Sequence, residues 1–403
     1  MNDSAKEILQ ILNDFSKSSE ARFVGGCVRD FIHKKAELDF YKTDIDIATN
    51  LTPDKVTEAL ETKKIRVIPT GIEFGTVTAV YQQKNYEITT LRSDISTDGR
   101  HAKVSYTTDW LEDAKRRDFT FNALYMDIDG NITDYFDGKT DLQNGIVRFI
   151  GDSSERINED FLRILRLFRF HAYFGKGDIL QNQLENCKTL KHGLDKISGE
   201  RIRTEMVKLL LSPNCQNALN AMVVSEILPQ ITQLNKNNFQ IENISKVLEL
   251  NENQNNPITI LISILGDKVS EVKIENIMER WKFSNKEKSF IYRLQEALQI
   301  NYEDDYQVRK SARINGKEEF FEYIILNYAK ARISKGKALQ LISFAQNFAT
   351  PDFPLKSADL FEMGIKQGNL FGKYLRKAEE IWEKSNYSLD KMQIIEKVKL
   401  SEL

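Results

Sequence analysis

Histidine and cysteine are nearly missing from this 403-residue chain, which holds four of the first and three of the second. No His-Asp dipeptide occurs, so a histidine-rich metallohydrolase centre is not expected. Cys27, Cys187 and Cys215 are far apart and have neither the density of a disulfide framework nor zinc-ligand spacing. They point to a reducing, cytoplasmic setting. Long hydrophobic runs are lacking too: no stretch has the length to span a bilayer. MNDSAKEILQILNDF reads as an amphipathic helix without the pattern of a secretory leader. Net charge is also small, with 57 basic against 59 acidic side chains. A polyanionic partner would therefore have to be met by locally clustered positive charge.

With 41% hydrophobic and 29% charged residues, the chain has the composition of a folded protein of about two to four domains. Strand signals fill roughly the first 145 residues. ARFVGGCV is a short apolar strand ending in glycines, and TDIDIAT is a second. LTPDKVTEALETK starts a helix near Pro53. RVIPTGIEFGTVTAVYQQKNYEITTLR divides into strands at Gly71, Gly75 and the QQKN turn. LYMDIDGNITDYF is a hairpin turning at Asp129-Gly130-Asn131. From Ser153 the period becomes helical, with one long helix expected over RINEDFLRILRLFRFHAYF and another over ERIRTEMVKLLLS, closed by Pro213. Helical patterns and polar linkers continue to the end.

Chemistry concentrates in a few segments. In KTDIDIAT, strand geometry turns Asp44 and Asp46 to one face and Ile45 and Ile47 to the other. A solvated acidic edge strand satisfies that pattern. So does a divalent metal, which would relieve the repulsion between two close carboxylates. Glu87, in the alternating run YEITTLR, is a candidate third carboxylate, and Asp94 competes for the position. Gly25-Gly26 and the following Arg29 place bare backbone and a guanidinium at what reads as a helix start, a combination suited to phosphate. Arg116, Arg117 and Asp118 of RRDFTFNAL are either a solvated charge run or a triphosphate contact. Asn122, in its apolar setting, needs partners. On a helical wheel Glu159, Arg163 and Arg166 form one stripe, with Asp160 at its edge and Phe161, Leu162, Ile164, Leu165 and Phe168 opposite. The stripe is either an ordinary surface face with an i,i+4 ion pair or an acceptor and donors offered to the edge of a base.

In order along the chain, GGCVRD, TDIDIAT, EITTLRSD, TDGRHA, RRDFTFNAL, IGDSSERINEDFLRILRLFRF and GERIRTEMVKLL strongly resemble the motifs of the bacterial class II tRNA nucleotidyltransferase and poly(A) polymerase family. They span roughly residues 21–210. PDFPLKSADLFEMGIKQGNLFGKYL is similar to the tail of many bacterial CCA-adding members. The resemblance implies an α+β fold, with a polymerase beta-like nucleotidyltransferase head (1–148), then an all-helical neck (149–225), body (226–320) and tRNA-binding tail (321–403). It assigns metal binding to Asp44 and Asp46, with Glu87 as the third catalytic carboxylate. Gly25, Gly26 and Arg29 match the phosphate side of the site, and Arg117, Asp118 and Asn122 match the motif joining nucleotide binding to head and neck geometry. Glu159, Asp160 and Arg163 match the nucleobase-recognition motif, in which aspartate and arginine pair with the base and glutamate orients the arginine. Arg166 matches a nearby phosphate contact.

The implied cofactor is Mg²⁺, with Mn²⁺ as an alternative, and the implied substrates are CTP, ATP and a tRNA lacking part or all of its CCA end. No obligate protein partner or membrane is implied. The TDGRHA stretch resembles the flexible-loop region implicated in switching from CTP to ATP. The alternatives are poly(A) synthesis, addition of only CC or only A, and a silent RNA-binding module. Poly(A) polymerases often carry a basic carboxyl-terminal extension, and KVKLSEL is no such run. One segment departs from the family: FIHKKAELDFYKTDID replaces a leucine-rich, glycine-containing spacer before the paired aspartates, and Asp39 within it lacks a paired partner. Residues 305–340 hold eight basic against four acidic residues. Among them Arg309, Lys310, Arg313, Lys317, Arg332, Lys335 and Lys337 are candidates for RNA backbone contact, or simply the wet side of helices.

Overall fold

The computed structural model describes residues 3–34, 45–96, 103–250, 256–362 and 369–400. They form two compact units. One comprises residues 1–239 with 268–283, and the other residues 240–267 with 284–403.

In the first unit, the amphipathic opening forms α1 (Asp3–Asn13), which buries Ile8, Leu9 and Leu12. Then follow β1 (Ala21–Val24), α2 (Gly26–Lys34), β2 (Ile45–Thr49), α3 (Pro53–Glu61), β3 (Arg66–Gly71), β4 (Thr76–Tyr81) and β5 (Lys84–Thr90). β6 (Arg92–Ser96) and β7 (Lys103–Tyr106) pair as a separate two-stranded sheet. After α4 (Trp110–Lys115) come β8 (Leu124–Met126) and β9 (Ile132–Asp134), completing a seven-stranded sheet in the order β3-β4-β5-β2-β1-β8-β9. β2 and β5 are parallel, and the other pairs are antiparallel. The expected punctuation is present. Pro53 occupies the first turn of α3, and Gln82 and Gln83 both take positive φ in the β4–β5 hairpin. Gly130, at φ 89°, turns β8 into β9.

The sheet is followed by α5 (Gly138–Asn144), α6 (Ser153–Glu159), α7 (Leu162–Phe174), α8 (Gln181–Leu190), α9 (Gly199–Leu210), α10 (Cys215–Val224) and α11 (Ile227–Thr232). The single helix expected across RINEDFLRILRLFRFHAYF is therefore two, α6 and α7, parted at Asp160 (φ −152°, ψ 106°). Periodicity reports which side chains are apolar, and that pattern runs through the break. It does not report that the Asp160 side chain accepts from the Leu162 N–H at 3.1 Å, an aspartate competing with the helix for backbone donors.

The second unit holds α12 (Asn243–Leu250) and α13 (Pro257–Ile264), after which α14 (Glu271–Arg280) returns to the first. α15 (Asn285–Ala297), α16 (Asp305–Ala329), α17 (Lys335–Asn347), α18 (Ser357–Glu362), α19 (Asn369–Lys384) and α20 (Lys391–Leu400) complete it. α16 is kinked at Gly316 (φ 74°, ψ 171°). Leu355, Leu360, Tyr374, Trp382, Ile394 and Val398 form a separate core near the end of the chain. Among the described residues, no helix is long and apolar enough to cross a membrane.

Candidate nucleotide-binding site

β1 delivers the chain to Gly25, whose φ of 71° is costly for any residue with a Cβ. The Gly25 N–H donates to Leu124 O, and its carbonyl accepts from Arg29 N as α2 begins. Arg29 is then held by three contacts. Its Nη1 donates to Asn122 Oδ1 at 2.9 Å, it pairs with Asp30 at 2.8 Å, and its guanidinium stacks 4.6 Å from the Phe174 ring. A Cβ on Gly26 would approach nothing closer than Arg29 Nη2 at 3.8 Å, so the sharp turn rests on Gly25.

Two strands carry the acidic face. In the parallel β2–β5 pair, Asp46 is in register with Glu87, while Ile45, Ile47, Tyr86 and Ile88 are buried. Partners in register on adjacent strands turn their side chains to the same face, with the strands about 4.8 Å apart. The structure therefore brings Asp46 and Glu87 together. Asp94 is on β6, in the other sheet, opposite Val104. Asp44 and Asp39 lie outside the described residues, as does TDGRHA from Thr97 to Ala102. Among the described residues, no three acidic, histidine or cysteine side chains converge. The donors that Asp46 and Glu87 offer are carboxylate oxygens, which suit a hard divalent cation such as Mg²⁺.

RRDFTFNAL forms the floor between sheet and helices. Asp113, from α4, is buried and accepts from Arg116 Nε (2.8 Å), Arg117 Nη2 (3.0 Å) and the Tyr125 hydroxyl (2.7 Å). Burial would raise its pKa, but the Arg117 and Arg116 guanidiniums outweigh this and hold it at about 2. Burial alone would weaken proton binding at Arg117, yet Asp113 and the Tyr125 hydroxyl hold it firmly cationic. Asp118 is buried and accepts from Asn122 Nδ2 (2.9 Å), Phe119 N (2.9 Å) and Arg166 Nε (2.6 Å). Burial opposes its ionisation, but Arg166 and these hydrogen bonds depress its pKa. A continuous chain of contacts thus runs from Arg29 through Asn122 and Asp118 to Arg166.

The break between α6 and α7 presents the third group. Glu159 accepts from Arg156 Nη1 at 2.7 Å and also pairs with Arg163. The Glu159–Arg163 pair therefore persists across the interruption. Arg163 further donates from Nη1 to Arg156 O (2.9 Å) and from Nη2 to Arg116 O (3.3 Å). Asp160 accepts from Leu162 N and, at 2.6 Å, from Arg201 Nη2 of α9. Arg166, the expected phosphate contact, is engaged by Asp118 and lies 3.8 Å from Glu205, which also binds Arg169 at 2.6 Å.

Sequence reasoning named neither Asp113, Tyr125, Arg156, Arg201 nor Glu205 for roles here. Asp113 had a signal, its i,i+3 and i,i+4 spacing to Arg116 and Arg117. Arg201 and Glu205 fall inside GERIRTEMVKLL, but their partners are 41 and 36 residues away.

The candidate RNA-contacting cations lie in the second unit and have partners of their own. Arg313 pairs with Glu379 and Glu383, and Lys310 with Glu383 at 3.2 Å. Arg332 pairs with Asp267, Lys335 with Glu249 and Lys337 with Glu303. Lys317 donates to Gln346 O, and Arg309 Nε is buried without a partner.

A mixed sheet with a carboxylate pair on adjacent strands, beside arginine-rich helices, defines a nucleotidyltransferase head joined to a helical remainder. The family described as Poly A polymerase head domain matches residues 21–148, and the family described as probable RNA and SrmB-binding site of polymerase A matches 178–235. The mitochondrial CCA tRNA nucleotidyltransferase 1 of Mus musculus is 34% identical over 396 residues, covering 96% of this chain and 88% of the relative. The CCA-adding enzyme of Ligilactobacillus salivarius is 30% identical over 418 residues, covering 98% and 96%. The crystal structure of the Bacillus stearothermophilus CCA-adding enzyme with CTP shares the fold, at a TM-score of 0.78 and 24% identity, covering 100% of this chain and 98% of that one. The chain belongs to the CCA-adding tRNA nucleotidyltransferase family.

Proposed function

We infer that this protein adds C, C and A, from CTP and ATP, to the 3′ end of tRNA and releases pyrophosphate, with no nucleic-acid template. The observation that carries the reading is the Asp160–Arg163 pair, whose acceptor and donors are held in place by protein contacts alone. Arginine supplies a planar fork of donors and aspartate the complementary acceptor, which together suit the Watson–Crick edge of cytosine or adenine. Arg29 and Arg117, flanking Gly25, supply positive charge for the triphosphate.

A Mg²⁺ ion, or Mn²⁺ in its place, held by Asp46 with Asp44 and Glu87 would lower the pKa of the attacking 3′-hydroxyl and neutralise charge on the departing pyrophosphate. Asp46 and Glu87 orient that chemistry by projecting from two hydrogen-bonded strands. The proposed organisation is head (1–148), neck (149–225), body (226–320) and tail (321–403), and residues 320 and 321 both fall within the part of α16 after its kink. The tail and the 305–340 cations are proposed as the RNA-contacting region. In the structure most of those cations are also engaged by acidic side chains, so RNA would have to compete for them. A cytoplasmic location is supported by the three free, buried cysteines.

The test is sequencing of products made with Mg²⁺, CTP and ATP. The inputs are tRNAs ending before CCA or after CC, and an unstructured RNA. Growth that stops at CCA on tRNA is expected. Long adenosine tails on either RNA would reassign the protein as a poly(A) polymerase, and products ending at CC or gaining only A would narrow it to a partial activity.

A further inference from the structure

Arg156 lies three residues before Glu159, in α6, and its guanidinium faces two ways. Nη1 donates to Glu159 Oε1 at 2.7 Å, and Nη2 donates to the Arg117 carbonyl at 2.7 Å. The other oxygen of Glu159 holds Arg163, and Arg163 Nη1 returns to the Arg156 carbonyl at 2.9 Å. The three residues thus close a ring. Arg163 Nη2 and Arg156 Nη2 fasten that ring to consecutive carbonyls, Arg116 O and Arg117 O. These carbonyls open RRDFTFNAL, the segment whose Arg117 is proposed to meet the triphosphate.

The arrangement uses the Nη1 group of Arg163 for internal contacts. Among the described residues, its Nε–H has no partner, which leaves that edge of the fork for a ligand. The cost is visible at Arg156. Its Nε is buried with no hydrogen-bond partner, and burial together with the neighbouring Arg163 charge weakens its hold on a proton. Two cations share one carboxylate at this site. Arg156 therefore carries a desolvation and repulsion cost that its bonds to Glu159 and to the Arg117 carbonyl must offset.

We propose that Arg156 is a specificity-determining positioning residue: by holding Glu159 and the Arg117 carbonyl at once, it fixes the angle at which Arg163 meets the base. The inference rests on the reading of the site as a nucleotidyltransferase. Cytosine offers acceptors at O2 and N3, which Arg163 can satisfy, and an amino group to Asp160. Uracil places an N–H donor where the arginine also donates. Discrimination between them is therefore sensitive to the aim of Arg163.

The experiment measures kcat and KM for CTP and for UTP on a tRNA lacking CCA. It uses the full-length protein, Arg156→Met and Arg156→Lys, with product inhibition by inorganic pyrophosphate as a readout of the triphosphate side. Both variants are expected to lower the CTP-over-UTP preference in kcat/KM by about tenfold or more. Inhibition by pyrophosphate should stay within about twofold of the parent. Lysine keeps the charge but replaces the planar fork, whose two nitrogens serve Glu159 and the Arg117 carbonyl separately, with a single freely rotating ammonium. If Arg156→Met does not fold, Arg156→Lys carries the test. Equal loss with CTP and UTP, or an unchanged preference in a folded variant, would overturn the proposal. Failure of the parent protein to extend any tRNA with CTP would instead overturn the reading of the site.

Discussion

At the residue scale, the site is built from carboxylates that each hold more than one donor. Asp113 serves Arg116, Arg117 and Tyr125, Asp118 serves Asn122 and Arg166, and Glu159 serves Arg156 and Arg163. Asp113 gives a pH prediction. Its folded pKa of about 2 is below the usual 3.8, so the folded state binds this proton more weakly than the unfolded chain does. The resulting stability is fully present above about pH 4 and is lost as pH falls through about 2, amounting to roughly 2 kcal/mol for the nearly inaccessible carboxylate. Comparing thermal unfolding of the parent and Asp113→Asn at pH 7 and again below pH 3 checks this, and the gap between them should shrink in acid.

Glu87 gives a second prediction. Glu87→Gln should lower kcat by about a hundredfold or more, while Asp94→Asn stays within about threefold of the parent. The reverse order in single-turnover assays would place the third carboxylate at Asp94. Residue types made Glu87 a candidate, but the register that sets it beside Asp46 is a long-range pairing that alternation along one strand cannot reveal.

At the element scale, the interruption at Asp160 combines two tasks in one residue: ending a helix and presenting an acceptor. The apolar stripe of Phe161, Leu162, Ile164, Leu165 and Phe168 was legible because periodicity follows burial, and all but the half-buried Phe161 are buried. The break was not legible, because it depends on which donor the Asp160 carboxylate selects. The two tasks separate by substitution. Asp160→Ser retains a short oxygen acceptor for Leu162 N but drops the charge that Arg201 binds, whereas Asp160→Ala loses both. Alanine should cost about 1 kcal/mol of stability, as loss of a capping acceptor does, and serine less than half of that. Both should lose the preference for CTP over UTP. Calorimetry on the two variants, alongside the incorporation assay, tests the pair. Equal destabilisation by serine and alanine would show that the carboxylate charge, rather than the cap, holds the break.

At the scale of the whole molecule, the two compact units interleave along the chain, since residues 268–283 leave the second unit's sequence to pack in the first. A strand-rich head followed by a helical remainder was readable from the change of period at Ser153. The return of α14 was not, because its partners are more than 45 residues away: Trp281 Nε1 donates to Ile231 O at 2.9 Å and Arg280 Nε to the same carbonyl at 3.2 Å. Trp281 is 1% exposed, and a Cβ on Gly199 would lie 1.9 Å from Arg280 O, so α9 and the end of α14 fit without spare room.

A fragment ending at residue 239 should therefore be less stable than the first unit in the full chain, by about 3–5 kcal/mol for the missing tryptophan alone. Cys27, Cys187 and Cys215 report on this unit specifically. All three are buried, and burial pushes their thiols up to about 11, about 12 and about 11. They should resist a thiol reagent at pH 8 until the unit opens. Labelling should therefore be slow in the full chain, fast in the fragment, and slowed again when a peptide spanning 268–283 is added. Equal labelling rates in fragment and full chain would mean that α14 adds nothing to the first unit's stability and that residues 1–239 fold as a closed body on their own.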